Sequence, residues 1–308
     1  MADETPQVIP VETWCKTLSF IVRSHCLQQI CPVSRFFRNL VSELLSWEGA
    51  AVYVRAVELE EQDGRPRFDP LIPTWSLCDR VFADFKDAHM GKKRKAARRC
   101  FALLGQHCTV ATGLFLRNWC LMERDGLQGL CSHFPAIRHL ELSGCDFLGQ
   151  GNCARLFAAH PALLSFRATF APKAVMTAEV VEAAPRGLKM LGFTNFKLDG
   201  EVLRALLDRC ALEHLWLART AGFSDAVSAA LSASPHLVTL SLPETLGAVG
   251  ARGESPAEGN AIAALVRACP KLDTFCCWGE HPELAQLEEF ERIPCSRGVE
   301  HRIILRRR

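Results

Sequence analysis

The segment Leu212-Glu-His-Leu215-Trp-Leu217 carries leucine at the first, fourth and sixth positions of a six-residue unit. Three further clear copies of this apolar spacing begin at Ile137, Leu188 and Leu237. Three weaker copies, in which Ala, Phe or Cys stands at some of the apolar positions, begin at Ala111, Leu163 and Leu272. Apolar residues at alternate positions indicate a β-strand with one buried face. The pattern therefore predicts seven short strands.

The copies recur at a regular step, because successive ones begin 26, 26, 25, 24, 25 and 35 residues apart. A step of about 20–29 residues is typical of leucine-rich repeats, in which stacked units share one continuous core. The longest interval contains the Gly- and Ala-rich segment Leu246–Gly259, which we predict to be a loop insertion. The predicted fold class is therefore α/β, with residues 111–280 forming a leucine-rich-repeat solenoid.

The residues between the predicted strands have helical patterns, of which Glu201–Arg209 and Ala261–Ala268 are the clearest. In five copies a proline lies two or three residues before the first apolar position, where its fixed φ and missing N–H end a helix: Pro135, Pro161, Pro185, Pro235 and Pro270. Each unit is therefore predicted to be a helix followed by a strand, in a curved parallel sheet with the helices on its outer side.

The N-terminal residues have apolar side chains at helical spacing. Trp14, Leu18 and Ile21 fall on one face of a helix whose first turn suits Pro10. A second helical pattern has an apolar arc that is wider than one small bundle can bury: Val33, Phe36, Phe37, Leu40, Val41, Leu44 and Leu45. The excess apolar surface predicts that a partner protein covers it.

These residues resemble the F-box, whose pattern is L-P-x-E, an I-F-x-x-L helix, a V-C-R-x-W/F-x-x-L helix and a closing Trp. The matching stretches are Ile9-Pro-Val-Glu-Thr-Trp14, Thr17-Leu-Ser-Phe-Ile21, Val33-Ser-Arg-Phe-Phe-Arg-Asn-Leu40 and Trp47. This sequence departs from the pattern at Ile9 in place of Leu, Thr17 in place of Ile and Ser34 in place of Cys.

The resemblance implies a small all-α F-box-like motif over residues 5–48 that binds a Skp-type adaptor, which in turn links it to a cullin. The residues that it assigns to adaptor binding are Ile9, Pro10, Leu18, Ile21, Val33, Phe37, Leu40 and Trp47. The alternative interpretation is that this segment is a helical cap, which a solenoid needs at its end.

The segment Ala-Cys-Pro-Lys-Leu at 268–272, with Cys145 and Cys210, resembles the cysteine-containing leucine-rich repeats of F-box proteins. Together the resemblances imply a substrate-recognition subunit of a Skp-cullin-F-box ubiquitin ligase, which performs no bond chemistry itself. The alternative is a leucine-rich-repeat scaffold or GTPase regulator unrelated to ubiquitylation. Residues 49–110 are predicted to be a linker with degenerate first repeats, and residues 281–308 a C-terminal cap or tail.

The overall composition predicts a folded, soluble protein with local recognition surfaces. With 36 Lys and Arg against 34 Asp and Glu, the net charge of +2 gives no field that would recruit nucleic acid or a membrane. Residues 1–10 lack the pattern of a secretory signal, and no apolar stretch approaches the roughly 18 residues of a membrane span. The 15 cysteines are odd in number, which favours reduced thiols and a cytoplasmic location.

The basic run Gly91–Arg99 is predicted to be a solvated helix start, with a nuclear-localisation signal as the alternative.

No sequence motif predicts catalysis or a cofactor. The patterns G-x-S-x-G, G-x-x-x-x-G-K-[ST] and H-E-x-x-H are absent from the sequence. Cys26 with Cys31, or Cys276 with Cys277, lacks the paired spacing of a structural zinc site. We therefore predict no enzyme, no metal and no cofactor, and a protein substrate as the ligand of the repeats.

The target-binding residues are predicted from strand alternation. Because the apolar positions enter the core, the third and fifth residues of each copy are expected to point to the concave face. The candidates are Phe115, His139, Glu141, Arg167, His214 and Trp216. Trp216 stands out because Trp is enriched at binding hot spots, and Arg167 is expected two strands away, at about 10 Å. The alternative is that Trp216 packs against its neighbours or a terminal segment.

Overall fold

The computed structural model describes residues 51–55, 79–84, 101–102, 104–118, 124–144, 151–169, 176–194, 199–218, 225–242, 256–278, 282–293 and 302–308. The chain forms two compact units, Met1–Phe115 and Leu116–Arg308. The F-box-like segment 5–48, with its eight predicted adaptor-binding residues, and the basic run Gly91–Arg99 lie outside the described residues.

In the first unit, two short strands pair in parallel. Strand β1 (Ala51–Arg55) lies beside β2 (Arg80–Asp84), with Ala51 opposite Arg80. Helical residues at 101–102 and 104–107 follow, and then β3 (Gly113–Arg117), which crosses into the second unit. The backbone N–H groups of Thr112 and Gly113 both donate to the Asp79 carbonyl, at 2.9 and 3.0 Å. The segment 49–110, predicted to be a linker with degenerate first repeats, thus contains two parallel strands among its described residues.

The second unit is built on a parallel sheet with one strand for each of the last six predicted repeats. Its strands are β4 (His139–Ser143), β5 (Ser165–Thr169), β6 (Met190–Thr194), β7 (His214–Ala218), β8 (Thr239–Leu242) and β9 (Thr274–Trp278). Every strand begins at the third residue of its sequence copy, and the third residues pair with one another across the sheet. A slip of one residue would turn each buried side chain outward, so the apolar pattern fixes this register. The predicted repeat is confirmed.

A helix precedes each of these strands, as predicted. The helices are α1 (Arg124–His133), α2 (Asn152–Ala159), α3 (Ala178–Ala183), α4 (Gly200–Arg209), α5 (Asp225–Ser232) and α6 (Pro256–Ala268). The Phe157 ring of α2 meets the Phe166 ring of β5 edge to face with centroids 5.1 Å apart, and Phe166 meets Phe193 of the next repeat at 5.7 Å. The apolar positions of the seven copies are at most 1% exposed. The core therefore runs between the helices and one face of the sheet.

The predicted loop insertion Leu246–Gly259 is wrong in its last residues, because α6 already begins at Pro256. Proline suits the first turn of a helix, where its missing N–H would have no intrahelical partner. The glycine and alanine content of this segment concealed the helix start. Within the described residues, no helix is both long and apolar enough to span a membrane.

The C-terminal residues close the sheet of the second unit with antiparallel pairing. A 3₁₀ turn (Pro282–Gln286) leads to β10 (Phe290–Ile293), and β11 (Arg302–Arg307) lies between β9 and β10, antiparallel to both. The Arg307 guanidinium donates to the carbonyls of Pro270 and Cys269 at 2.8 and 3.3 Å, directly after the end of α6. Segment 281–308, predicted to be a cap or tail, thus contributes two strands and a helix C-cap.

Candidate functional site

Five of the six predicted target-binding residues lie on one face of the second unit's sheet. We call this the open face, and define it by the third and fifth residues of the strands, which point away from the helix-covered apolar positions. His139 and His214 lie in the row of third residues, and Glu141, Arg167 and Trp216 in the row of fifth residues. The sixth residue, Phe115, belongs to the first unit, where its ring stacks on Phe82 at a centroid distance of 4.2 Å.

The row of fifth residues contains a direct contact between Arg167 and Trp216. The Arg167 guanidinium carbon lies 4.1 Å from the centre of the Trp216 ring, which is the geometry of a cation–π contact. On its other side, Nη1 of Arg167 lies 3.9 Å from Oε2 of Glu141. The three side chains therefore form a continuous row across β4 to β7, which we call the Trp216 row.

Gly192 makes the contact possible, because it lies between Arg167 and Trp216 in the register of the strands. A Cβ atom at Gly192 would lie 3.0 Å from Cγ of Arg167 and 3.3 Å from Cε3 of Trp216. A larger side chain would thus hold the two apart. Sequence reasoning placed Arg167 two strands from Trp216 and did not select Gly192. The sequence does contain a signal for this contact: the fifth residue of the intervening copy is glycine, which leaves no side chain between Arg167 and Trp216.

Exposure divides the open face into an accessible and a buried part. In the accessible part, 40% of the Arg167 side chain and 28% of the Glu141 side chain are exposed, while Trp216 is half-buried. Met190 of the third-residue row is 40% exposed, and the sequence analysis had not selected it. Farther along the row of fifth residues, Ser241 and Cys276, which were not among the predicted target-binding residues, are buried. The accessible part therefore covers β4 to β7.

The position of Trp216 agrees in part with each of its two predicted roles, which are target binding and packing against neighbouring residues. It packs against a neighbour, Arg167, as the alternative interpretation expected, and yet it is not sealed in the core. Because Trp216 lies on the face opposite the helices, its ring does not fill the core between the helices and the sheet. Its remaining surface is available to a ligand.

In several repeats the residue directly after the helix is buried. In most copies it lies three residues before the first apolar residue of the next six-residue unit. Cys210 and Cys269 occupy it, and their thiols lie 3.3 and 3.5 Å from the carbonyls of Pro185 and Leu231 in the preceding repeat. Burial raises the pKa of Cys269 to about 11. His160 takes the same position and is 1% exposed, with neither ring nitrogen hydrogen-bonded. Burial lowers the pKa of His160, so its ring is neutral at pH 7.

The adjacent cysteines that the sequence raised as zinc candidates do not point the same way. Cys276 is a fifth residue and Cys277 an apolar core position, and successive side chains of a strand point to opposite faces. Burial raises the pKa of the Cys277 thiol to about 12. In the part of the chain that is described, no group of three His, Cys, Asp or Glu side chains is placed to hold a metal ion.

Comparison with known proteins adds little to these observations. No protein-family model matches the chain, and no curated protein matches it. The chain is similar to a crystal structure of a TLR13–ssRNA13 complex, with 14% identity and a TM-score of 0.40. The match covers 56% of this chain and 26% of that one. At this level the similarity carries no functional weight, and the leucine-rich-repeat architecture rests on the register and burial described above.

Proposed function

We propose that this chain is a non-catalytic receptor whose repeats bind a protein target through the accessible part of the open face. The observation that carries the proposal is the Trp216 row, in which an aromatic ring, a cation and an anion lie exposed or half-exposed beside Met190. Trp and Arg are the residue types most enriched at binding hot spots. None of these side chains is needed to fill the core between the helices and the sheet.

Replacing Trp216 with alanine tests this part of the proposal. We expect affinity for the target to fall by at least about 2 kcal/mol, or roughly thirtyfold, because a large ring and the support of Arg167 are lost together. The measurement is a titration with a target identified by crosslinking, alongside a melting curve. Val110→Ala is the matched control, since Val110 is an apolar residue that is 54% exposed outside the row. A Trp216→Ala protein that unfolds as a core variant does would contradict the assignment.

We further propose that the chain is the substrate-recognition subunit of a Skp-cullin-F-box ubiquitin ligase, in which the N-terminal segment binds the adaptor. Its support is the F-box-like sequence of residues 5–48, which lies outside the described residues. In such a complex the receptor raises the effective concentration of target lysines beside a charged conjugating enzyme. Co-purification of a Skp-type adaptor and a cullin with the full chain is the deciding measurement.

The variant Phe37→Asp with Leu40→Asp should abolish adaptor co-purification, because each unpaired carboxylate in an apolar interface costs several kcal/mol. Asn39→Asp with Ser42→Asp introduces the same charges at polar positions and should leave it unchanged. Retained adaptor in the first variant would contradict the F-box assignment, and unfolding of the repeats would favour the helical cap. A wild-type chain that captures its target without any cullin would favour the scaffold function.

A further inference from the structure

The Arg167 guanidinium has hydrogen-bonding capacity that the described residues do not use. It carries five N–H donors. Its Nε is buried without a hydrogen-bond partner, and Nη1 is 3.9 Å from the Glu141 carboxylate, which is an ion pair too long for a hydrogen bond. At the same time 40% of the side chain is exposed. Because Nε is buried, the donors open to a ligand are those of the two Nη groups, which are suited to bind an anion.

The surroundings of Arg167 hold its guanidinium plane in place. The Trp216 ring supports one face at 4.1 Å, and Gly192 leaves the space in which the two meet. A guanidinium held in this way loses little conformational entropy when it binds, and its fork of donors matches the two oxygens of a carboxylate. Arginine stacked on an aromatic ring therefore favours a planar, bidentate anion.

We propose that Arg167 binds an Asp or Glu carboxylate of the protein target, and that Met190 receives an apolar side chain of the same segment. This inference rests on the proposed function of the open face. Among the third and fifth residues of β4 to β7, Arg167 is the one Arg or Lys and Glu141 the one acidic side chain, and the 3.9 Å between their charged atoms leaves the Nη donors of Arg167 open to a carboxylate. The incoming carboxylate replaces Glu141 as the ion partner of Arg167.

The negative charge of Glu141 also selects between anions. A phosphate group carries close to two negative charges at pH 7 and costs more to remove from water than a carboxylate with one, while Glu141 weakens the attraction to Arg167 that would offset this cost. The geometry further sets the spacing of the ligand. Met190 is one strand and two residues from Arg167, about 8 Å, close to the separation of alternate residues in an extended peptide. The expected target segment therefore has an acidic and an apolar residue two positions apart.

Selection from a displayed library of random 12-residue peptides, performed on the full chain, tests the inference. The wild-type pool should be enriched in Asp or Glu two positions from an apolar residue, and the pool from Arg167→Gln should lose the acidic preference. A selected peptide is then titrated beside versions that carry Gln or phosphoserine in place of its acidic residue. On the wild-type chain the Gln version should bind at least about tenfold more weakly, while on Arg167→Gln the two should differ less than about twofold.

A second variant displaces the Arg167 side chain and leaves its charge unchanged. Gly192→Ala places a Cβ 3.0 Å from Cγ of Arg167, and should separate the guanidinium from Trp216 and reduce the preference for the acidic peptide. Gly187→Ala is the matched control, because its Cβ would meet only Cδ2 of Leu164, at 3.7 Å. Melting temperatures of all variants show whether each one is folded.

The remaining outcomes are each decisive. The inference is overturned if Arg167→Gln selects the same acidic peptides, if the wild-type pool favours Lys or Arg, if the phosphoserine version binds more tightly, or if no peptide is enriched. If the selected peptides bind Trp216→Ala as tightly as wild type, the open face is not the binding surface, and the proposed function is contradicted. If the peptides require Trp216 but show no preference for Asp or Glu, the binding of a carboxylate by Arg167 is contradicted and the proposed function of the open face still stands.

Discussion

Replacing Gly200 with alanine tests how closely helices α4 and α5 approach each other. A Cβ at Gly200 would lie 2.6 Å from Cβ of Ala226, 2.8 Å from the Ala226 carbonyl carbon and 3.0 Å from the Val227 nitrogen. Carbon atoms in favourable contact are about 3.5–4.0 Å apart. Two of the three neighbours are backbone atoms that cannot rotate away. The helices must therefore separate, or the added methyl group remains strained.

The expected loss follows from two opposing effects. Adding a methylene-sized group to a well-packed contact costs about 1–3 kcal/mol, while alanine is favoured over glycine in a helix by up to about 1 kcal/mol. Because Gly200 is the first residue of α4 and not an interior one, the helix preference offsets only a small part of this cost, and the net destabilisation of Gly200→Ala should be about 1–2 kcal/mol. For a unit of this size, that corresponds to a decrease in melting temperature of about 2–8 °C.

Thermal and urea unfolding of the full chain measure this effect. Gly187→Ala, the open control position, should change the free energy of unfolding by less than about 0.5 kcal/mol. Adding Ala226→Gly to Gly200→Ala removes one of the three close contacts and leaves the two backbone contacts, so it should recover part of the loss. A Gly200→Ala protein that is as stable as wild type would refute the close approach of α4 and α5.

Two further predictions concern buried or capping groups. The folded-state pKa of His160 is lowered from its ordinary value of 6.5, so the stability that the neutral ring contributes is fully present above pH 6.5 and is lost as the pH falls through the folded pKa. The melting temperature of wild type should therefore fall more between pH 7.5 and pH 5 than that of His160→Leu, and equal falls would exclude His160 as the cause. Arg307→Ala should destabilise the last repeat by about 1–3 kcal/mol in urea unfolding, because two charge-assisted hydrogen bonds to the end of α6 are lost. Arg306→Ala removes only an exposed ion pair at 3.9 Å and should have little effect, so similar losses in both variants would contradict the capping role.

The strand register could be predicted from the sequence because one spacing rule acts in every repeat. Leu215 and Leu217 must be buried together, and the same demand on each neighbouring copy leaves a single register. The antiparallel strands β10 and β11 could not be predicted in this way. They do not follow the repeat, and their pairing depends on contacts with β9 that are distant in sequence.

The candidate surface was predictable in outline and not in detail. Alternation along the strands places Glu141, Arg167 and Trp216 in one row, and the register confirms that row. The contact between Arg167 and Trp216 depends on how a long side chain crosses the space above Gly192, which spacing does not specify. The burial of Ser241 likewise depends on tertiary surroundings rather than on its position in the repeat.

The pairing of fifth residues with fifth residues has a consequence for how such a protein acquires new ligands. Exposed positions of the Trp216 row alternate with core positions along each strand, so most of them can mutate without creating a cavity. Ligand preference can thus diverge among descendants while the buried leucines stay fixed. Gly192 is the exception, because a side chain there changes two neighbours at once. A single substitution of Gly192, which lies between Arg167 and Trp216, should alter recognition more abruptly than a substitution within the Trp216 row.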